Sequence, residues 1–299
     1  STDVVISHLN KSNYINILTS SLLTNHKTIV VIHNHPNHYI HSYSFIKSYY
    51  KFIVHYLIQI ILYRFADEVV TISNESKLFY KHYFNLDTNL IYNPIDLNFT
   101  KKIITNYQFF DNINSRKIFL SVGRLSKRKN QIEILKTFLF IKKNDKELYD
   151  KIYLYIAGDG KKLNFLKKFV LNNKLEDSVK IVGLIDNLAP FYHNSHCLIS
   201  SAKAEGLPNI FVESQSFNKP IITSNYSGYY ETLTDNFHQI EKNIVKAKKL
   251  KYGIVYPKGD IEQLYQSINI IVNNKIYYSS VVKELKLKKS LFSISNTNK

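Results

Sequence analysis

The sequence predicts an α/β protein with two doubly wound, parallel-sheet domains. The chain has 299 residues, which is enough for two domains that each bury a core. Short runs rich in β-branched residues are apolar on both faces, as expected for parallel strands covered by helices. Segments with helical periodicity alternate with these runs, and this alternation is typical of doubly wound folds.

Eight runs are predicted as strands: residues 3–8, 27–34, 67–73, 117–123, 151–160, 179–185, 196–201 and 219–224. Helical periodicity predicts helices over residues 131–142, 161–172, 207–217 and 261–273. The longest apolar run, residues 52–65, is interrupted by His55 and Gln59 and is too short to span a bilayer. It predicts a buried amphipathic helix.

A polar stretch at residues 100–117 separates two series of strands and helices. We therefore expect an N-terminal domain over residues 1–110 and a C-terminal domain over residues 111–275. Residues 276–299 are expected to form a helical tail.

The net charge of +17 is concentrated in the second half of the chain. Residues 101–299 hold 33 Lys and Arg against 17 Asp and Glu, whereas residues 1–100 hold 7 against 6. This surplus suits a nucleotide diphosphate, an anionic membrane surface or nucleic acid, but no nucleic-acid-binding motif is present. The single cysteine, Cys197, excludes an internal disulfide framework and indicates a reducing, cytoplasmic compartment.

The segment Glu205-Gly206-Leu207-Pro208-Asn209 follows a predicted strand and opens a predicted helix, with Glu213 further along that helix. Ligands of parallel sheets bind at the carboxyl ends of strands, and a helix N-terminus offers unpaired N–H groups to a phosphate. Glu213 then suits ribose hydroxyls and Glu205 suits sugar hydroxyls. The structural alternative makes Glu205 a helix-capping carboxylate and Glu213 a solvent-facing residue.

A second segment, GRLSKRKN over residues 123–130, follows the strand at 117–123 and carries four cations within six residues. Cleavage of a glycosyl–phosphate bond builds negative charge on the leaving diphosphate, and fixed cations stabilise that charge. Arginine also grips phosphate through two parallel hydrogen bonds. A solvated basic loop is the alternative interpretation.

Together, GRLSKRKN and EGLPNIFVE resemble the donor-binding signatures of the retaining glycosyltransferases of family 4, which have the GT-B fold. Residues 66–73, 91–96, 157–162, 179–192 and 219–228 resemble further stretches of that family in the same order. The resemblance extends from Asp3 to about Gly259. It implies two Rossmann-like domains facing a cleft, the N-terminal one incomplete because its first strand and glycine-rich turn have no counterpart here.

The resemblance also implies residue roles. Arg124 and Lys129 match the pair that clamps the donor diphosphate, Glu213 the ribose-binding glutamate, and Glu205 the carboxylate near the donor sugar. His33 matches a histidine that reaches the donor sugar from the N-terminal domain. The positions expected to bind the donor through the backbone are Gly123, Gly183, Leu184, Ile185, Gly206, Leu207, Pro208 and Asn209.

The implied activity is transfer of a hexose or N-acetylhexosamine to a cell-surface glycan, such as capsule or lipopolysaccharide, or to its lipid carrier. The EGLPN form favours a UDP-linked donor, and the family needs no metal or other cofactor for donor binding. We also expect peripheral association with the inner face of the cell membrane. A degenerate, non-catalytic relative that binds or scaffolds a partner is the alternative.

Four histidines, His33, His35, His38 and His41, fall within nine residues. Imidazole is a common zinc ligand, but no cysteine or carboxylate lies inside this run. A zinc site, an acceptor-facing loop and an inert polar loop all fit the pattern.

Overall fold

A computed structural model describes residues 3–33, 45–93, 113, 115–226, 228–234 and 244–288. Contacts divide the chain into a first unit, Ser1–Asn93 with Ala204–Leu207, and a second unit, Pro94–Lys203 with Pro208–Lys299. The expected domain boundary at residues 110 and 111 lies outside the described residues. Within the described ranges, no helix combines the length and the apolar character needed to cross a membrane.

The first unit contains a parallel sheet of four strands in the order β1-β2-β3-β4. Its elements are β1 (Val4–His8), α1 (Asn10–Thr19), a π-helical turn (Ser20–Thr24), β2 (Lys27–Ile32), α2 (Phe45–Leu62), a 3-10 turn (Tyr63–Phe65), β3 (Glu68–Thr71), α3 (Asn74–Phe84) and β4 (Asn89–Leu90). The core packs Val30 and Ile32 of the sheet against Ile17, Tyr63 and Tyr80.

Helix α2 confirms the helix predicted from the apolar run at residues 52–65, but its burial is only partial. Gln59 is buried and accepts a hydrogen bond from the Tyr80 hydroxyl at 2.9 Å. Ile53, Leu57 and Ile61 are 39%, 52% and 58% exposed. Because these three residues are spaced four apart, they form one exposed apolar row along the helix.

The second unit contains a sheet of seven strands in the order β10-β11-β9-β8-β5-β6-β7, in which only β10 is antiparallel to its neighbour. The elements are β5 (Lys117–Val122), α4 (Gln131–Asn144), α5 (Lys146–Lys151), β6 (Ile152–Ala157), α6 (Leu163–Asn172), β7 (Val179–Gly183), α7 (Ala189–Asn194), β8 (Cys197–Ser200), α8 (Asn209–Ser216), β9 (Ile221–Ser224), α9 (Tyr229–Leu233), β10 (Lys248–Leu250), β11 (Gly253–Tyr256), α10 (Ile261–Asn273) and α11 (Lys275–Leu287).

Apolar side chains fill both faces of this sheet. Phe119 of β5 belongs to one cluster of buried residues and Leu120 to the other, and both are 0% exposed. Strands covered on both faces explain why the sequence shows continuous apolar runs and no alternation. The eight predicted strands and four predicted helices are present, and the parallel α/β fold class is confirmed.

Helix α8 begins at Asn209, two residues after the predicted start at Leu207. Leu207 precedes a proline, and the proline ring disfavours the helical conformation for the residue before it. Pro208 itself has extended backbone angles of −73° and 124°, so it stands before the helix and does not occupy its first turn.

Candidate functional site

Strand β5 lies where the order of strands along the second sheet reverses. From β5 the chain moves to β6 and β7 on one side, and it then returns to β8 on the other side. The connections that leave two such neighbouring strands diverge at their carboxyl ends, and doubly wound folds bind ligands in that crevice. Segment 123–130 follows β5, and segment 205–209 lies between β8 and α8.

The turn after β5 approaches the end of β6 closely. The Gly123 N–H donates to the Ala157 carbonyl at 3.0 Å. A Cβ atom on Gly158, whose φ is +141°, would lie 2.1 Å from the Gly123 carbonyl oxygen. A Cβ on Gly123 would lie 3.5 Å from Lys129 Nζ. The predicted site residues Gly123 and Lys129 are therefore brought together, with the ammonium group beside backbone that carries no side chain.

Arg124 and Asn130 lie near the two ends of segment 123–130, which we call the basic turn. The Arg124 side chain is exposed, and its carbonyl oxygen accepts a hydrogen bond from Gln131 Nε2 at 3.2 Å. Asn130 has a left-handed φ of +55° and immediately precedes α4. A guanidinium group that reaches solvent from an anchored turn is available to an anionic ligand.

Hydrogen bonds join the connection after β8 to the turn after β5. The Ser201 hydroxyl donates to the Asn130 carbonyl at 2.8 Å, and the Lys203 N–H donates to the Arg128 carbonyl at 2.8 Å. Main-chain acceptors fix both contacts, so the position of the basic turn does not depend on long flexible side chains.

Glu213 lies on α8 and is partly buried. Its Oε2 accepts a hydrogen bond from the Tyr192 hydroxyl at 2.7 Å, and the fully buried Tyr192 ring stacks on Phe217 with centroids 5.7 Å apart. Burial raises the pKa of Glu213, and the Tyr192 hydrogen bond opposes that rise. Among the described residues Glu213 forms no ion pair, so neither Arg124 nor Lys129 neutralises it.

Three of the predicted site residues, Glu205, Gly206 and Leu207, belong to the first unit. Within that unit, a Cβ on Gly206 would lie 2.8 Å from the His33 carbonyl oxygen. The backbone at this point therefore accepts only glycine without rearrangement. Leu207 is buried and Glu205 is partly buried. The next two predicted site residues, Pro208 and Asn209, belong to the second unit.

The predicted nucleobase stretch, residues 183–185, follows β7. Gly183 has a φ of +78°, and its carbonyl oxygen accepts from the Gly158 N–H at 2.6 Å. Leu184 is 77% exposed, whereas Ile185 packs against the core. The stretch therefore offers backbone and one exposed apolar side chain at the edge of the sheet.

His33 follows β2 in the first unit. Its Nε2 lies 2.8 Å from Nδ1 of His8, and burial together with the His8 charge lowers the His33 pKa. His35, His38 and His41 lie outside the described residues. Within the part of the chain that is described, no group of three or more potential metal-ligating side chains occurs.

Two partnerships at this edge were not among the predicted site residues. One is the Tyr192 contact with Glu213. The other surrounds Glu133 of α4, whose carboxylate accepts from the Tyr256 hydroxyl at 2.9 Å and from the Gly259 N–H at 3.2 Å. Burial raises the pKa of Glu133, and these hydrogen bonds oppose the rise. The sequence signal that could have identified Glu133 is a carboxylate on the buried face of α4, where the buried Thr137 lies one turn further along.

An uncharacterized glycosyltransferase of Methanocaldococcus jannaschii is 27% identical over 281 residues, which cover 89% of this chain and 66% of that protein. An N-acetyl-D-galactosaminyltransferase of Campylobacter jejuni, whose name includes an undecaprenol-linked glycan, is 25% identical over 296 residues, 99% of this chain and 72% of its own. This chain therefore spans about two thirds to three quarters of these relatives.

Among solved structures, Anabaena HepE in complex with UDP superposes with a TM-score of 0.74 at 16% identity, covering 99% of this chain and 76% of that one. Sucrose-phosphate synthase from Thermosynechococcus elongatus gives a TM-score of 0.77 at 15% identity, covering 98% and 70%. These likenesses show the GT-B fold. Residues 104–287 match the family model described as Glycosyl transferases group 1, and because this is more than half of the chain, the protein belongs to that family.

Proposed function

We propose that this chain binds a nucleotide sugar, with UDP as the favoured nucleotide, and serves in glycosyl transfer that retains the anomeric configuration. The observation that carries the proposal is the arrangement of two groups in the second unit, where the strand order reverses at β5. Lys129 Nζ lies beside the bare backbone of Gly123, and Tyr192 holds the Glu213 carboxylate on α8. A cation beside bare backbone suits a diphosphate, and a held carboxylate suits sugar hydroxyls.

In this proposal Arg124 and Lys129 stabilise the negative charge that develops on the leaving diphosphate. Oε1 of Glu213 accepts hydrogen bonds from the ribose hydroxyls, because Oε2 is already bonded to Tyr192. Glu205 and His33 contact the transferred sugar. The backbone N–H groups of Gly206, Leu207 and Asn209 bind the sugar and phosphate, and residues 183–185 meet the nucleobase.

The transferred group is a hexose or N-acetylhexosamine, and the acceptor is a cell-surface glycan or its lipid carrier. Structures of HepE contain UDP and UDP-glucose, and a TarM structure contains UDP. The Campylobacter relative is named for an undecaprenol-linked glycan, and an Escherichia coli relative for O-antigen biosynthesis. These names support a nucleotide-sugar donor and a glycan or lipid-linked acceptor.

The chemistry we propose needs no protein nucleophile. The donor's glycosyl–phosphate bond breaks, the acceptor hydroxyl attacks from the same face, and the departing phosphate takes the hydroxyl proton. The protein positions the reactants and neutralises charge, for which Arg124 and Lys129 supply the cations. Donor binding in this proposal requires no metal.

Calorimetric titration with UDP, GDP and ADP tests the donor site. We expect UDP to bind the parent protein, and Glu213→Ala and Lys129→Ala each to weaken binding at least about tenfold, the worth of one charge-assisted hydrogen bond. Lys283→Ala on α11 removes the same charge from an exposed position and serves as the matched control. Failure of every nucleotide to bind, or unchanged affinity in both site variants, contradicts the assignment.

Turnover distinguishes an enzyme from a non-catalytic binding relative. We expect UDP release from a UDP-sugar to rise when a lipid-linked glycan acceptor is added, and to fall in Arg124→Ala. UDP binding without any acceptor-dependent release supports the non-catalytic alternative and overturns the proposed activity.

We also propose that the chain associates peripherally with an anionic membrane surface. The exposed row of Ile53, Leu57 and Ile61 on α2 and the net charge of +17 support it. Flotation with liposomes containing phosphatidylglycerol is expected to carry the protein upward at low salt, and Leu57→Ser with Ile61→Ser to reduce this. Absence of co-flotation at both low and physiological salt contradicts the association.

A further inference from the structure

A cavity of about 440 Å³ opens between α4 and α6 in the second unit. We call it the α4–α6 cavity, and its volume falls within the range of small-molecule sites. None of Arg124, Lys129 and Glu213 lines it, so it is distinct from the proposed donor site. No carboxylate is among its lining residues, whereas four lysines are: Lys127, Lys136, Lys162 and Lys203.

The wall formed by α6 is apolar. Phe165, Leu166 and Phe169 contribute to it, and Ile132 faces the same space from α4. Phe165 is 48% exposed although it is aromatic. Lys162 Nζ lies 4.8 Å from the centre of the Phe165 ring, so a cation stands directly beside apolar surface. A ligand that fits this cavity carries both a negative charge and an apolar face.

Gln131 lines the cavity and holds a buried acceptor without a donor among the described residues. The residue is 3% exposed, and its Nε2 donates to the Arg124 carbonyl. Its Oε1 is buried and has no hydrogen-bond partner among the described residues. A buried amide oxygen without a donor costs free energy. A hydroxyl group on a ligand would satisfy it once the Gln131 amide moves toward the cavity, and a bare phosphate dianion cannot do so.

Among the described residues, none of the four lining lysines forms an ion pair with a carboxylate. Lys258 lies near Lys203, and its pKa is lowered first by burial and then by the Lys203 charge. The carboxylate that attracts both lysines is Glu133, which already accepts hydrogen bonds from Tyr256 and Gly259. The counter-charge for these cations is therefore expected from a ligand.

We propose that the α4–α6 cavity binds a phosphorylated sugar. The phosphate lies among the lysines, a sugar hydroxyl donates to Gln131 Oε1, and the apolar face of the sugar ring packs on Phe165. The site borders the turn that carries Arg124 and Lys129, but it stands on different side chains. Its existence therefore does not depend on the proposed donor function.

Calorimetric titration with glucose 6-phosphate tests this proposal, with inorganic phosphate and glucose as the other two ligands. Saturating UDP is present in one series, so that binding at the donor site is blocked, and absent in a second. We expect glucose 6-phosphate to bind in both series, phosphate at least about tenfold more weakly and glucose not detectably. Lys136→Ala and Lys162→Ala are each expected to weaken binding about tenfold, since each removes one charge-assisted contact.

Lys283→Ala is the matched control, because this exposed lysine does not line the cavity. It is expected to bind glucose 6-phosphate with the parent affinity. Three results overturn the proposal: no binding to the parent protein, full competition by UDP, or an affinity that is unchanged from the parent in both Lys136→Ala and Lys162→Ala. A failure of UDP itself to bind counts against the donor assignment only, because the series without UDP still reports on the cavity.

Discussion

The hydrogen bond from Tyr192 to Glu213 gives a direct test of how α8 prepares the donor site. Tyr192→Phe removes one hydroxyl and leaves a fully buried ring stacked on Phe217. A hydrogen bond to a charged group is worth about 1.5–3 kcal/mol. Glu213 is only partly buried, so water recovers part of this, and we expect a loss of about 1–2 kcal/mol, or a 5- to 30-fold weaker affinity for UDP.

The same substitution has a signature in pH that a general loss of stability does not produce. The Tyr192 hydroxyl lowers the Glu213 pKa against the rise caused by burial, so its removal raises that pKa further. In the proposed site, UDP affinity requires the ionised Glu213 carboxylate and is expected to fall as pH drops through the Glu213 pKa. The acid limb of a plot of affinity against pH, measured by calorimetry, is therefore expected to move to higher pH in Tyr192→Phe.

Tyr265→Phe is the control, because it removes a comparable hydrogen bond to Asp145 at 3.0 Å elsewhere in the same unit. It is expected to leave both the affinity and the acid limb in place. An acid limb at the same pH in the parent and in Tyr192→Phe would refute the assignment of Glu213 as the ligand-binding carboxylate.

Three further outcomes concern the folded state. Tyr256→Phe removes the buried donor to Glu133 and should lower the free energy of unfolding by about 1–3 kcal/mol in urea titration. Gly158→Ala introduces a Cβ 2.1 Å from the Gly123 carbonyl and should cost at least about 3 kcal/mol. Burial lowers the pKa of His196 to about 4 in the folded state. Between pH 6.5 and 4 the unfolded chain therefore binds a proton at His196 that the folded protein does not bind. This destabilises the fold by on the order of 3 kcal/mol as pH falls through that window.

Each of these outcomes has a clear contrary result. Unchanged unfolding midpoints and slopes in Tyr256→Phe, or a Gly158→Ala protein as stable as the parent, would contradict the described packing. In the parent protein the His196 and Tyr278 rings stack with their centroids 4.0 Å apart. His196→Phe keeps a ring at this position but cannot titrate. The parent should lose more stability than this variant from pH 6.5 to 4, and an equal loss would show that His196 is not the acid-sensitive group.

The sequence was sufficient to predict the elements that build the second sheet. The strand predicted over residues 117–123 is observed at Lys117–Val122, because a short run that is apolar on both faces and ends at a glycine is typical of a covered strand. Lys129 and Gly123 were also identifiable, since they lie six positions apart in one turn. Their contact is local, and local patterns are what a sequence displays.

Contacts over long separations were not predictable. Tyr192 and Glu213 lie on helices that belong to different strand connections, and Glu133 meets Tyr256 across 123 positions. The lysine-rich stretch around Lys248 was not among the eight predicted strands, but it forms the edge strand β10. Exposed lysines suit such an edge because they oppose further strand pairing. The strand order of the sheet, which the sequence does not display, is what places this stretch at an edge.

In our proposal, the turn after β5 and the start of α8 form one nucleotide-diphosphate site. A crystal structure of the protein with UDP bound tests it most directly. We expect the diphosphate between Lys129 and the α8 N-terminus, a ribose hydroxyl within hydrogen-bond distance of Glu213 Oε1, and the uracil at residues 183–185. UDP bound elsewhere, with these side chains uninvolved, would contradict the account.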